Sequence, residues 1–529
     1  MDTKALRQKI LDLAIRGKLV PQDPNDEPAS VLLERIRAEK QQMVKDGKLK
    51  PKDIKNDTII FKGEDNLHYE KFPDGSVKCI EDEIPFELPQ GWECERLSNI
   101  ASFSGGKTPS TSKDEYWGDD YLWITSKDMK SKYIDSSQIS LSEKGAKIMQ
   151  IKAPDTLLLV TRSGILRHTL PVAILKKQAT INQDIKAISL YDTSLAEFIY
   201  SFLKGTENHI LPKYVKSGTT VENINFDEFK NIIIPVPPKS EQILIIEKIN
   251  TLLSFIETIE SDKTDLQVTL QLTKSKILDL AIRGKLVPQD PNDEPASVLL
   301  ERIRAEKEEL IKQGKIKRDK KESVIFRGVD NSYYEKVGDT VTCIDEELPV
   351  DLPDGWTWVR LQSICEPITD GTHKTPVYSN SGYIFLSSKN VTSGKIDWDN
   401  VMYIPEELHE ELYSRLQPKK NDILLAKNGT TGVSAIVDKD CVFDIYVSLA
   451  LIRIVGYMII PKYLTCMMGS KFVQDYFNSS LKGIGVPNLH LEHIRTALIP
   501  IAPLHEQEKI ADSVQKYIGI LEDIEKSLS

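Results

Sequence analysis

Cysteine, histidine and long apolar runs are scarce in this 529-residue chain, and each scarcity removes a class of function. The six cysteines, Cys79, Cys94, Cys343, Cys365, Cys441 and Cys466, include no CxxC pair and no zinc-type spacing with histidine, so they are read as reduced and mostly buried. Runs such as IIIPV and ILII are too short to span a bilayer. The amino terminus, MDTKALRQKILDLAIRGK, alternates charge with apolar residues at helical spacing and lacks the unbroken apolar stretch of a signal peptide, so a cytoplasmic protein is expected. Positive charge is also short. With 69 Lys and Arg against 79 Asp and Glu the formal charge is −10, which excludes a generic nucleic-acid coat, because non-specific DNA affinity comes from cationic neutralisation of phosphates. Any contact with DNA has to use local basic faces or charge borrowed from a partner.

Catalytic signatures are missing as well. SGGKTPS at Ser104 has the end of a phosphate loop, but Ala101 stands where its first glycine belongs and no long strand feeds it. No GxGxxG follows a strand, no asparagine-proline-proline-aromatic motif of amino-methyltransferases occurs, and there is no GxSxG elbow or catalytic Cys/His context. His490 and His493 lie three apart without further ligands and read as a surface helix turn. The expectation is a chain with no catalytic residue, no metal and no cofactor of its own.

What the chain does have is a repeat. KILDLAIRGKLVPQDPNDEPASVLLERIRAEK begins at Lys9 and recurs unchanged from Lys276. Similarity runs on: KDGKLK at Lys45 matches KQGKIK at Lys312, EIPFELPQGW matches ELPVDLPDGW, and IIPVPPKSEQ matches LIPIAPLHEQ. A unit of half the chain is far longer than the repeat of a solenoid, so the protein presents two similar heads. The segment after Gln507 stops where the segment after Gln242 continues to Gly284, and the amino-terminal residues resume the pattern. The repeat is therefore circular, and the first and last helices are expected to form a broken copy of the central one, antiparallel to it, in a pseudo-two-fold molecule.

The apolar stripe Leu6, Ile10, Leu13 and Ala14 predicts a first helix capped by Asp2 or Thr3 and ended by Gly17. A second, near Ser30 to Lys45, should turn Arg35, Arg37 and Lys40 outward. Short strands are expected at Tyr121–Ser126, Thr156–Thr161, Pro171–Leu175, Asp184–Leu190 and Asn231–Val236, with a helix near Leu195–Leu203; the second half repeats them at Tyr383–Ser388, Asp422–Lys427, Val447–Val455 and Thr496–Ile501, with a helix near Tyr463–Phe472. The central helix starts after Pro238 and carries Ile245, Ile249, Leu252, Ile256, Ile259, Leu266, Leu270, Ile277 and Leu280 on one stripe, with a kink expected in the polar run Glu260–Asp265. Unkinked, it would be a rod of roughly 65 Å. Near-identical helices beside divergent heads point to common scaffolding under two different binding surfaces.

Two divergent heads, each closed by a proline-rich entry into a long helix, with LDLAIRGKLVPQDPNDEPAS after it, resemble the DNA specificity subunit of Type I restriction-modification systems over essentially the whole chain. GGKTPSTSKDEYWGDDYLWITSKD looks like the opening of that family's target recognition domain; the second head opens differently, with DGTHKTPVYSNSGYIFLSSKN. The resemblance implies α/β (α+β) target recognition domains in tandem, separated by long helices forming an antiparallel coiled coil. The divisions expected are amino-terminal conserved helices over 1–47, a connection over 48–91, recognition domains at 92–239 and 356–503, a central helical region over 240–315, a connection over 316–355 and a last helix from 504. It implies that each head reads one half of a bipartite DNA site and that two modification (methyltransferase) subunits clasp the chain. Restriction (motor and nuclease) subunits join for cleavage, with S-adenosylmethionine, ATP and magnesium held by those partners. The polar loop residues expected to meet DNA are Lys107, Thr108, Ser126, Lys127, Arg162 and Ser163 in the first head and Lys374, Ser388, Lys389, Lys427 and Asn428 in the second. Arg35, Arg37 and Lys40, with their copies Arg302, Arg304 and Lys307, are expected to bind the modification subunits. Two rival readings are a coiled-coil adaptor whose heads bind proteins, and an enzyme with duplicated sites, the latter resting on Lys107 with Lys374 and Asp155 with Asp422.

Overall fold

One helix, Lys239–Ile282, runs unbroken through the polar stretch expected to kink; it contains neither proline nor glycine, the residues that bend helices most readily. The computed structural model describes residues 2–216, 221–319, 322–482 and 487–528; Met1, residues 217–220, Lys320, Lys321, residues 483–486 and Ser529, which fall in the helical, head and connecting segments assigned above, lie outside the described residues. The chain divides into two units, Met1–Asp262 and Lys263–Ser529, and the boundary falls inside this helix. Among the described residues no helix is long and apolar enough to cross a membrane.

In the first unit the helix Thr3–Ile15 is capped by Asp2, whose carboxylate accepts from Ala5 N at 2.9 Å. It ends at Gly17, where φ is +63° and a Cβ would sit 2.5 Å from Pro89. Ile10 and Ala14 share an apolar cluster with Ile245, Ile249, Ile256, Trp92 and Phe198, and Arg7 Nη2 donates to Glu260 Oε2 at 2.9 Å. The start of the short helix thus meets the middle of the long one, an antiparallel pair. In the second unit the same pair is assembled from other pieces: the later half of the long helix meets Leu504–Leu528, with Lys274 Nζ donating to Glu525 Oε2 at 2.7 Å. Arg7 and Lys274 are repeat equivalents, as are Glu260 and Glu525, so the circular permutation read from the sequence is built into the pairing. The expected stripe is not continuous, however. Ile259 is 42% and Leu266 39% exposed.

The next helices, Ala29–Lys45 and Ala296–Lys312, bury Leu32, Leu33 and Ile36 and their copies Leu299, Leu300 and Ile303. Lys40 and Lys307 do not point outward: they are 1% and 6% exposed. Each lies one helical turn beyond the buried isoleucine and so on the same face. Lys40 Nζ donates to Asp57 at 2.5 Å and to the Asn99 carbonyl at 2.9 Å, and Lys307 Nζ to the Gln362 carbonyl at 3.1 Å. Arg37 reaches Glu95 at 2.8 Å and Arg35 reaches Glu27 at 2.7 Å; Arg302 pairs with Glu294, and Arg304 is half-buried.

Residues 48–91 are more than a connection. They hold an antiparallel meander, Ile59–Lys62, His68–Lys71 and Val77–Cys79, repeated at Ser323–Arg327, Tyr333–Val337 and Thr340–Cys343. Arg96 ties it to the head through Glu70 at 2.6 Å and Glu83 at 2.8 Å, and Arg360 repeats this with Glu335 at 2.7 Å and Glu347 at 3.0 Å. The outer strand leaves Cys79 and Cys343 exposed, which corrects the expectation of mostly buried thiols. Only Cys94 and Cys365 are fully buried, and burial pushes both up to about 12.

Each head starts and finishes on a two-stranded ribbon, Glu93–Arg96 with Ile233–Val236 and Thr357–Arg360 with Leu498–Ile501. The first head is built on a five-stranded sheet in which Ile185–Leu190 and Leu157–Val160 lie inside, flanked by Ala101–Gly105 on one side and by Val172–Leu175 and Tyr133–Ile134 on the other. A second sheet pairs Trp117–Ile124 with Ala179–Ile181 and Ser140–Leu141. The second head keeps the arrangement with Leu449–Ile452 and Ile423–Ala426 inside and Tyr383–Leu386 beside Phe443–Ile445.

Where each head hands over to its helix, a tryptophan donates to a buried glutamate: Trp92 Nε1 to Glu241 at 2.8 Å and Trp356 Nε1 to Glu506 at 2.9 Å. Burial raises both carboxyls, and the indole bond offsets this only in part. A raised carboxyl makes folding take up protons, so its contribution to stability is present below the unfolded value and is lost as pH rises through the folded one. The double variant Glu241→Gln, Glu506→Gln is expected to match the parent in urea midpoint near pH ~4.3, the ordinary glutamate range, and to exceed it as pH rises through the raised folded values.

Candidate nucleic-acid interface

In the first head the loops that follow the apolar strands converge on one turn, residues 182–184. Lys107 N donates to the Ile181 carbonyl at 3.0 Å, Asn182 N to the Ile124 carbonyl at 2.9 Å and Thr161 N to the Asp184 carbonyl at 2.8 Å, while the Thr108 hydroxyl donates to Gln183 Oε1. Gly106 makes this approach possible, since a Cβ there would lie 2.1 Å from the carbonyl oxygens of both Ile181 and Asn182. The loop carrying Ser126 and Lys127 is pinned by Asp128, whose carboxylate accepts from Thr125 N at 2.8 Å, Thr125 Oγ1 at 2.7 Å and Gln138 N at 2.8 Å. Ser163 N donates to the Glu222 carbonyl at 3.1 Å, and the backbones of Arg162 and Asn223 form an antiparallel β-bridge. All six residues singled out in this head are therefore brought together, with Lys107, Thr108, Lys127 and Arg162 exposed and Ser126 and Ser163 half-buried.

Lys107, Lys127 and Arg162 stand on this face, and the Arg167 guanidinium pairs with Glu222 and holds its carboxyl below the usual carboxylate range. Beneath it Lys152 is 3% exposed, donates to Ser104 Oγ at 2.5 Å, and is brought down to about 8 by desolvation.

The second head rebuilds the same frame from other residues. Thr372 N donates to the Ile445 carbonyl at 3.1 Å, Tyr446 N to the Leu386 carbonyl at 2.9 Å and Lys427 N to the Ser448 carbonyl at 2.8 Å; a Cβ on Gly371 would lie 1.9 Å from the Ile445 carbonyl. Asn390 takes the place of Asp128, accepting from Ser387 N at 2.9 Å and donating to the Asp397 and Asn400 carbonyls at 3.2 and 3.0 Å. Ser388 Oγ donates to Asn428 Oδ1 at 3.2 Å, and Ser388 N to Ser448 Oγ at 3.0 Å. Lys374 and Lys389 are exposed, and Ser388 and Asn428 half-buried. Lys427 is not a surface cation: it is 4% exposed, with Nζ on Asp370 Oδ2 at 2.5 Å. Its position corresponds to the buried Thr161, and Asn428 is the counterpart of Arg162.

The same register removes the pairs behind a duplicated active site. Gly106 matches Gly371, so Lys107 corresponds to Thr372 and not to Lys374. Asp155 and Asn421 share a left-handed backbone, φ +60° and +72°, which places Asp422 opposite Thr156. Asp422 is fully buried under a bidentate Arg453, at 2.8 and 2.6 Å, while Asp155 is exposed with Lys176 at 3.4 Å. Sequence reasoning misses the central turn in both heads, although INQD between two apolar runs carries a turn signature.

A family model described as the Type I restriction modification DNA specificity domain matches residues 89–268 and 353–529. The Type I restriction enzyme EcoAI specificity subunit of Escherichia coli is 30% identical over 97% of this chain and 89% of its own. The EcoEI specificity subunit of the same species is 27% identical over 99% and 90%. A solved chain from a study of complex assembly and conformational transition of the type I R-M system is alike in fold, with a TM-score of 0.54 at 15% identity over 84% of this chain and 94% of that one.

Proposed function

Because this chain belongs to the Type I restriction modification DNA specificity family, we propose that its two heads read the two unlike halves of a bipartite, asymmetric duplex site, separated by several unspecified base pairs. One observation carries the reading: the two heads share a backbone frame around a glycine-backed turn, yet display different side chains on it, Lys107, Thr108, Ser126, Lys127, Arg162 and Ser163 against Lys374, Ser388, Lys389 and Asn428. A common frame under unlike displays is what two different half-sites require. Lys427 belongs to the frame and holds Asp370.

Two modification subunits bind the helices Ala29–Lys45 and Ala296–Lys312, identical through their first three turns, by way of Arg35, Arg37, Arg302 and Arg304. Lys40 and Lys307 brace these helices on the heads. The partners supply adenine methylation, with S-adenosylmethionine, and restriction, with ATP and magnesium, and the assembly works in the cytoplasm. A chain with net charge −10 depends on local cations and on those partners for phosphate contacts.

The test is retention of duplex DNA by the complex with its modification subunits, across a salt series. Sequence-selective retention that weakens steeply with salt is expected, and Arg162→Ala should lower discrimination within one half-site only. Retention indifferent to DNA sequence, with undiminished binding of protein ligands by the heads, would instead favour an adaptor.

A further inference from the structure

In each head one residue stands on the turn to which the neighbouring loops are bonded. In the first head it is Gln183. The carbonyls on either side of it, of Ile181 and Asp184, receive amides from two different loops, Asn182 N is bonded to Ile124, and Asp184 N donates back to Asn182 Oδ1 at 3.2 Å. Asn182 is buried and Asp184 half-buried, which leaves Gln183 as the exposed member of the turn. The Thr108 hydroxyl donates to its Oε1 and so orients the amide, while Nε2 is left with two donor hydrogens. The corresponding residue of the second head, between the bonded carbonyls of Ile445 and Ser448, is Val447, half-buried and apolar.

We infer that Gln183 and Val447 are matched base-reading positions, Gln183 recognising an adenine through its amide and Val447 recognising a thymine through its methyl group. This rests on the reading of the heads as DNA-reading surfaces. The chemistry follows from the groove edges: an oriented carboxamide pairs its carbonyl and amine with N6 and N7 of adenine, and an apolar side chain complements the C5-methyl of thymine. Rigid placement matters because a reader that moves relative to its frame loses discrimination, and this turn is tied to three loops in each head. A phosphate contact from a flanking lysine would position the head without carrying sequence information of its own.

The experiment maps methylation by the full complex carrying Gln183→Ala or Val447→Ala. Gln183→Ala is expected to relax one adenine-containing position of one half-site, with discrimination falling roughly 10- to 100-fold and the other half-site unchanged. Val447→Ala should relax one position in the other half-site by about fivefold, and duplexes with deoxyuridine in place of that thymine should cost the parent complex about as much. Thr108→Ala is expected to weaken selectivity at the Gln183 position alone. Unchanged selectivity at every position in both variants, or an equal loss of methylation at all sites, would overturn the assignment while leaving the heads as DNA readers. A parent complex without sequence preference in either half would overturn the underlying reading as well.

Discussion

Gly106→Ala is expected to damage the first head more than loss of any side chain on its face, lowering its stability by about 3 kcal/mol and abolishing selectivity for one half-site. The added methyl would lie 2.1 Å from two backbone carbonyl oxygens, on Ile181 and Asn182. Neither can retreat, because Ile181 ends a paired strand and Asn182 opens the turn on which the loops are fastened. The neighbouring Gly105→Ala is the control: its Cβ would meet only the end of the Lys186 side chain, 3.2 Å away, and a flexible ammonium moves aside cheaply. Thermal unfolding of both variants, with binding to duplexes scrambled in one half or the other, checks the claim. Equal behaviour of the two alanine variants would mean that the turn yields, and that the frame is softer than its hydrogen bonds indicate.

Asp422→Ala is expected to cost about 3–5 kcal/mol. The carboxylate is fully buried and receives Arg453 in two bonds, Lys419 N at 2.7 Å and the Tyr457 hydroxyl at 3.3 Å. Burial works against the Arg453 charge and Asp422 more than restores it, so truncating the acid leaves a guanidinium with much of its solvation gone and, as remaining partners, the Gln417 carbonyl at 2.6 Å and Glu366 at 3.7 Å. The double replacement Asp422→Leu, Arg453→Met should recover most of the loss, since removing both charges removes the desolvation cost along with the attraction. Urea midpoints of the single and double variants provide the measurement. A single variant within about 1 kcal/mol of the parent, the range of an exposed pair, would show that solvent reaches this site.

Much of the scaffold is legible in the amino-acid sequence alone. The first helix, its Asp2 cap and its Gly17 stop follow from local rules, and the circular repeat predicts which helices pair. Elsewhere residue type suggests one place and tertiary context decides another. Lys40 and Lys307 look like surface cations, but helical spacing puts them on the buried stripe, where carbonyls and a carboxylate receive them. The meander at Ile59–Cys79 is hidden because its strands are short and half their residues face solvent. Lys427 has the residue type of a displayed cation, and only the strand register shows that it answers to the buried Thr161 and that Asn428 is the counterpart of Arg162. Gln183 escapes notice because its role depends on three loops, far apart in sequence, meeting at one turn, and no local pattern records that.

Gly106 with Asp128, and Gly371 with Asn390, separate the parts that hold the loops from the parts the loops display. Many of the holding contacts, those of Lys107 N, Asn182 N and Thr161 N among them, run between backbone atoms and are indifferent to which side chain stands at Lys107, Gln183 or Lys389. Mutations at displayed positions then change little in folding free energy, and a marginally stable domain can accept them without falling below its stability threshold. A lineage carrying this frame can drift between recognition sequences through folded, soluble intermediates, and because the frame occurs twice, each head can wander while the other keeps its inheritance.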